Sequence, residues 1–539
     1  MVQLDAEALA DGIVRLGQLA IKWVVHTSLS SFRVVGLAME ERGRQLVLIS
    51  HVGARQDGEQ CDELAVRIHL EPRGERVACR VHAAHPDGVR VVKTVVQGLP
   101  PGQLRAVGVE GGLTVGARHR PLEYPGALAT PFVWLQPEQP LHAARFVARC
   151  ISWPIARKAA SGRLRPSGDL ELVLYEEVHA PAQERAFEGS NWLLGYVPSL
   201  VEELTAHGDE LGRRLGLSDA RDRLEGARDM PRLFVRAHGR DFNGQIHLTY
   251  RGVAKALSAL ATRGDLHGGW LHLIGWDGPF MRDCPALKAD PALGGEEGLL
   301  ALVRAAHSLG MRVLLHLGPT VAAWHVVRSL GIEACQAQDL HGGVVPYPPH
   351  DWDGDGFCES GWVVMNPWFR EWRELLLDRC QTLLRDYGID GFYLADLCRY
   401  VPDRRGDFLA GLRAFVDELL ALRERICLVG EGGADYTPWL TPVFEPRCRC
   451  HTAEYQLTIG RYGLQVGHSA VADCKNRAGV GQLFHAQYRP LKGIHHNIVP
   501  AMSLTRTALA QRLPEIDSTF RWARQWSALW EARRSAAPG

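Results

Sequence analysis

Short, partly alternating apolar runs fill the first third of the chain: Phe32-Arg33-Val34-Val35-Gly36-Leu37, Gln45-Leu46-Val47-Leu48-Ile49, Leu64-Ala65-Val66-Arg67-Ile68 and Leu170-Glu171-Leu172-Val173-Leu174. Gly, Pro and Asp clusters separate them at irregular intervals. This pattern predicts an antiparallel β-sandwich over residues 1–195. The period then lengthens. Leu200, Val201, Leu204, His207, Leu211, Leu215 and Leu217 recur at helical spacing among charged residues, which predicts a helical connector over 196–229.

From Met230-Pro231 onward, apolar runs without alternation take turns with amphipathic stretches. Leu233 to Ala237 ends at His238, Trp270 to Gly275 ends at Trp276-Asp277, and Met311 to Leu315 ends at His316. Helical patterns through Leu299, Leu302 and Val303, and through Leu409, Leu412 and Phe415, lie between such runs. Buried parallel strands read this way because both of their faces are covered. The alternation predicts an α/β fold, a (β/α)8 TIM barrel over 230–515 preceded by the sandwich. Pro442-Val443-Phe444, Tyr455-Gln456-Leu457-Thr458 and Ile494 to Met502 are the candidates for strands six to eight. A C-terminal helix over 516–539 carries Trp522, Trp526 and Trp530 at i, i+4 and i+8. That stripe suits docking onto the barrel, or the joining of two subunits into a homo-oligomer.

Two of the barrel runs end in a carboxylate. Gly391-Phe392-Tyr393-Leu394-Ala395-Asp396 and Leu428-Val429-Gly430-Glu431 would present an Asp and a Glu from successive strands at the catalytic end of a barrel. Glycoside hydrolysis needs such a pair. Around it, Trp276, Asp277, His238, His316, Tyr393 and Arg399 are candidate substrate contacts, Arg399 by holding Asp396 ionised. His451, Glu454, His495 and His496 rank below them. Asp390, at the start of its strand, suits a structural role. The connection after the third strand, 317–368, is far longer than the others and carries Asp351, Asp353, Asp355 and Glu359 in a DxDxDG run. Alternating carboxylates around a Gly suit calcium, although Trp362 stands where the EF-hand pattern wants Glu; a solvated acidic turn is the other reading.

Lys plus Arg and Asp plus Glu both number 61, so no basic excess points to nucleic acid or an anionic membrane. No run approaches about 18 apolar residues, and the N-terminus lacks the basic start and apolar core of a signal peptide. With 12 Cys and no CxxC pair, a cytoplasmic protein with reduced thiols is expected. The cluster Cys448, Cys450 and His451 lacks the second ligand pair that zinc sites use.

Gly-Ile-Asp-Gly-Phe-Tyr-Leu at 388–394 resembles the fourth-strand signature of the α-amylase superfamily, with Met311 to His316 resembling the strand before it and Gly430-Glu431 the strand after. Gly294-Gly295-Glu296-Glu297, His307 to Val313 and Val364-Met365-Asn366-Pro367 resemble uncharacterised bacterial glycosidase-like barrels with an N-terminal β-sandwich. The resemblance covers about 230–450. It implies a retaining glycoside hydrolase acting on α-linked sugars, with no required cofactor, a structural calcium at most, Asp396 as nucleophile and Glu431 as acid/base. One departure stands out: the superfamily pattern would put the nucleophile at Ala395, one residue before Asp396. A one-residue shift along a strand reverses a side chain, unless a bulge or the strand end at Leu394 restores its direction. Three alternatives stay open: Asp390 or Asp277 serves instead, the barrel binds carbohydrate without cleaving it, or it is a sugar-active lyase or isomerase.

Overall fold

The computed structural model describes residues 2–3, 5–42, 45–109, 121–138, 144–150, 157–178, 186–218, 230–241, 244–279, 282–347, 361–446, 452–467, 497–504 and 514–535. The chain divides into two compact units, Met1–Arg214 and Leu215–Gly539.

Among the described residues, the first unit is built from two antiparallel sheets, one of ten strands and one of nine. Strict alternation makes the inner face: along Leu19–Thr27, Leu19, Ile21, Trp23 and Val25 are buried while their neighbours are half-exposed. Gly74, at φ +68°, turns Ala65–Arg73 directly into Arg76–Ala84. The helix Leu200–Leu215 closes the unit. It buries Leu204, His207 and Leu211 against the sandwich. Its buried Glu203 takes Arg149 at 2.5 Å and Arg76 at 2.6 Å.

The second unit is a parallel barrel. Its strands are β1 (Leu233–His238), β2 (Gly269–Ile274), β3 (Arg312–Leu317), β4 (Gly391–Leu394), β5 (Cys427–Glu431), β6 (Val443–Glu445), β7 (Leu464–Val466) and β8. β8 comes in two pieces, Ile498–Val499 paired with β7 and Ala501–Leu504 paired with β1. Pro500 separates the pieces, and its carbonyl accepts the Phe234 N–H at 2.8 Å, so the ring closes through a residue that has no N–H to offer. The run Tyr455–Thr458, a candidate strand by composition, is instead part of the helix Ala453–Thr458. Thr452 caps that helix by accepting the Tyr455 N–H at 3.2 Å, and a local cap outweighs the β-preference of four residues. Strand seven lies just beyond, at Leu464–Val466.

Paired residues of a parallel sheet share a face. The register therefore lines the lower barrel with Phe234, Trp270, Leu314, Val429, Val443, Leu464, Val499 and Ala501. The C-terminal helix, Pro514–Ser535, packs Trp526 and Trp530 against this cluster, with Trp522 partly buried beside them. Within the long connection after β3, Val321–Ala323 pairs antiparallel with Trp362–Val364. No helix among the described residues is long and apolar enough to cross a membrane.

Candidate active site

Asp396 and Glu431 meet at the C-terminal end of the barrel. β4 ends at Leu394, and the chain turns at once: Asp396 adopts φ +57°, a left-handed conformation that Asp tolerates better than most residues. Its backbone N–H donates to Glu431 Oε2 at 3.1 Å. Past the strand end at Leu394, strand alternation no longer sets the direction of Asp396. Arg399 Nε lies 2.7 Å from Asp396 Oδ2, and a second guanidinium nitrogen lies 2.5 Å from the same oxygen. The other oxygen, Oδ1, has Cys398 Sγ at 4.0 Å.

Tyr347, supplied by the long connection, completes the group. Its ring lies 4.5 Å under the Arg399 guanidinium. Burial, then Asp396 and Glu431, push its phenol well above the usual range. Burial works against the charge of Arg399, but Asp396 and then Tyr347 hold that guanidinium above its ordinary value. Buried Asp403, after β4, anchors the connection: it accepts the Gln338 N–H and the Asn366 amide, both at 3.0 Å, and pairs with Arg405 at 2.9 Å. Burial alone would raise the Asp403 carboxyl, yet those donors hold it below its ordinary value.

Below the carboxylates the barrel interior is polar. Glu445, ending β6, receives Arg236 from β1 and the Tyr393 hydroxyl at 2.5 Å. His272 stacks on Tyr393 with centroids 3.9 Å apart, and its Nε2 lies 3.2 Å from His316 Nδ1. Burial lowers His316 to about 3 and His238 to about 4, so both rings are neutral at neutral pH. His238 lies against His247 with centroids 4.8 Å apart.

The remaining expected residues are placed as follows. Asp390 takes His307 at 2.7 Å, Arg312 at 2.9 Å and the Val313 N–H at 2.8 Å, which ties the start of β4 to β3. Trp276 is corrected as a substrate contact: it is 1% exposed, and its indole N–H donates to the His316 carbonyl at 3.1 Å. An aromatic face that packs in the core offers no face to a ring in the cleft. Asp277 is half-buried after β2, accepting the Leu287 N–H beside Asp283 and Cys284, and burial raises its carboxyl to about 7. Asp351, Asp353, Asp355 and Glu359 lie outside the described residues, as do Cys448, Cys450, His451, His495 and His496.

Tyr347, Arg236, His272 and Glu445 were not among the expected residues. Val443-Phe444-Glu445 carries the same signal as the two catalytic candidates, an apolar run ending in a carboxylate. His272 and Arg236 interrupt apolar strands at inward positions. Tyr347 bears no local signal, since only the folding of the connection brings it to the carboxylates.

No protein-family model matches the chain, and no curated protein is significantly similar to it. Solved structures do resemble it. The α-N-acetylgalactosaminidase NagBb from Bifidobacterium bifidum, in complex with GalNAc, aligns over 96% of this chain and 91% of that one, with a TM-score of 0.66 and 14% identity. The Gal-NHAc-DNJ complex of the same enzyme aligns over 97% and 93%, with a TM-score of 0.65 and 13% identity. The chain has the fold of that glycosidase. The shared architecture is the parallel barrel together with an N-terminal β-sandwich.

Proposed function

We propose that this protein is a glycoside hydrolase that cleaves α-linked sugars with retention, with Asp396 as nucleophile and Glu431 as acid/base. The observation that supports the reading is the 3.1 Å hydrogen bond from the Asp396 backbone N–H to Glu431 Oε2, which joins two carboxylate-bearing residues at the ends of neighbouring parallel strands. The NagBb enzyme, named as an α-N-acetylgalactosaminidase, favours a terminal galactose-type sugar as substrate.

In this mechanism Asp396 attacks the anomeric carbon, using the carboxylate oxygen that Arg399 does not hold. The glycosidic C–O bond breaks as Glu431 gives its proton to the departing oxygen. Water then adds to the same carbon, Glu431 takes the water proton, and the C–O bond to Asp396 breaks. Two inversions leave the anomeric configuration unchanged. Tyr347 and Arg399 shape and hold the nucleophile, while the neutral His316 and His238 offer hydrogen bonds to sugar hydroxyls.

The test is a screen of aryl α- and β-glycosides, galactosides and N-acetylgalactosaminides first, with the wild type, D396N and E431Q. Expected are hydrolysis by the wild type, loss of about 10²–10⁴-fold in E431Q and a larger loss in D396N. Azide should rescue both variants with opposite anomeric outcomes. Binding of a sugar by the wild type with no turnover of any glycoside would instead favour the binding-only barrel.

A further inference from the structure

We propose that the N-terminal sandwich carries a metal site for a zinc-like divalent cation, formed by Cys61, His85 and Glu63. All three residues belong to the first unit, and the site stands or falls apart from the glycosidase reading. Cys61 ends the short strand Gln60–Cys61, Glu63 lies in the turn right after it, and His85 follows the strand Arg76–Ala84; their ligand atoms all lie within 4.8 Å of one another. Thiolate, imidazole and carboxylate are the donor set that zinc and its neighbours accept, and three protein ligands leave a fourth position for water.

The geometry is close to that of a loaded site. Zinc–sulfur and zinc–nitrogen bonds of about 2.3 and 2.0 Å at a tetrahedral angle place the two donors about 3.5 Å apart. Cys61 Sγ lies 3.7 Å from His85 Nε2. The histidine is prearranged: it is buried, and its ring stacks on Phe32 with centroids 5.1 Å apart. Phe32 in turn is held by Gly53, the partner of Cys61 across the strand pair, where a Cβ would come within 2.9 Å of the Phe32 side chain. Glu63 is exposed and free to swing by the ångström or so that closure needs.

The far ring nitrogen supplies the second half of the argument. Metal-bound histidines donate their other N–H, most often to a carboxylate or a carbonyl. His85 Nδ1 accepts the Asp87 amide at 3.1 Å and lies 3.7 Å from Asp87 Oδ2. Without metal, then, the Nε2–H points at Cys61. On loading, the Cys61 thiol loses its proton to solvent, the ring proton moves from Nε2 to Nδ1 by exchange with water, the metal takes Sγ and Nε2, and the new Nδ1–H donates to the Asp87 carboxylate instead of accepting the Asp87 amide. The exposed Asp87 amide is left to water.

The probe is Co²⁺, titrated into chelator-treated full-length protein and followed by absorption. Expected is a thiolate-to-cobalt band in the near-ultraviolet with four-coordinate visible bands, both displaced by Zn²⁺. C61S should abolish the near-ultraviolet band assigned to this site, and D87N should weaken affinity about 10–100-fold. Other cysteines are present, so the readout is the difference between wild type and C61S, with unchanged circular dichroism as the folding control. A spectrum identical in wild type and C61S, or no cobalt bound at all, overturns the site and leaves Cys61 and His85 a hydrogen-bonded pair only. Equal affinity in D87N overturns the Asp87 role.

Discussion

Glu431 and Glu445 are register partners on adjacent strands, and both end an apolar run, yet their surroundings assign them different work. Glu445 is enclosed. Its side chain and that of Arg236 are 5% and 3% exposed, and Tyr393 adds a 2.5 Å hydrogen bond. Replacing it by Gln leaves the Arg236 guanidinium buried without its counter-charge, a change that costs about 3–5 kcal/mol. Tyr393→Phe removes one hydrogen bond to a charged acceptor while the ion pair survives, which costs about 1.5–3 kcal/mol. Glu431 is only half-buried, and a Gln at that position still offers a carbonyl oxygen to the Asp396 N–H, so E431Q should shift stability by less than about 1 kcal/mol. The assay is urea unfolding followed by tryptophan fluorescence, with turnover measured on the same preparations. The expected ranking of stability loss is E445Q, then Y393F, then E431Q, whereas E431Q alone should lose activity while keeping its stability. An E445Q protein as stable as wild type but inactive would refute this division and make Glu445 a catalytic group.

Other parts of the molecule give further expectations. D390N should leave His307 and Arg312 facing a neutral amide and lower stability by about 1–3 kcal/mol with the active site intact, as read by urea midpoint and turnover; a large loss of turnover at unchanged stability would move Asp390 into the catalytic machinery. W526A should cost about 3–5 kcal/mol, because Trp526 packs against the lower barrel cluster; a loss under about 1 kcal/mol, measured the same way, would mean that the helix is not docked there. Acid should also destabilise the barrel. His316 and His238 titrate near 3 and 4 when folded against about 6.5 when unfolded. The unfolded chain therefore binds those protons first, so the stability these rings contribute is whole above pH 6.5 and is lost as pH falls from there toward 4 and 3. Melting temperatures of H238Q and H316Q should fall less between pH 7.5 and pH 5 than that of the wild type; parallel slopes would contradict the burial-driven shift.

Much of the barrel was legible because its strands are continuous apolar runs bounded by helical periods, a pattern set by burial on both faces. β1 to β6 all fall on runs recognisable in the sequence. The failures came where tertiary context outweighed composition. Tyr455–Thr458 looked like a strand until a Thr cap made it helical, and Trp276 looked like a substrate contact until burial and a backbone carbonyl took up its indole. Glu445 shows a different limit. Its local pattern equals that of Glu431, and only the arrival of Arg236 from β1, over two hundred residues earlier, distinguishes a structural carboxylate from a candidate catalytic one. Tyr347 is beyond local reading altogether, since its place depends on a connection anchored through Asp403.

At Asp396 the backbone conformation frees the side chain from the alternation of the strand before it. Had β4 continued one residue further, Asp396 would have faced the layer opposite to Tyr393. Instead the Ala395 N–H donates to the Leu317 carbonyl at 2.8 Å, pinning the end of the strand to β3, and the next residue turns left-handed. Such a conformation costs a non-glycine residue about 1–2 kcal/mol, and Asp or Asn bears it more easily than Ala. D396N should therefore keep the turn and lose only the charge facing Arg399, whereas D396A should lose further stability from the backbone and from the missing side-chain acceptor for Arg399. Comparing the two by unfolding and by turnover separates strain from chemistry. If both variants are inactive and D396A is the less stable of the two, the turn exists to hold a carboxylate that the reaction uses. If D396A is as stable as D396N, the left-handed turn is not a strained feature of the site.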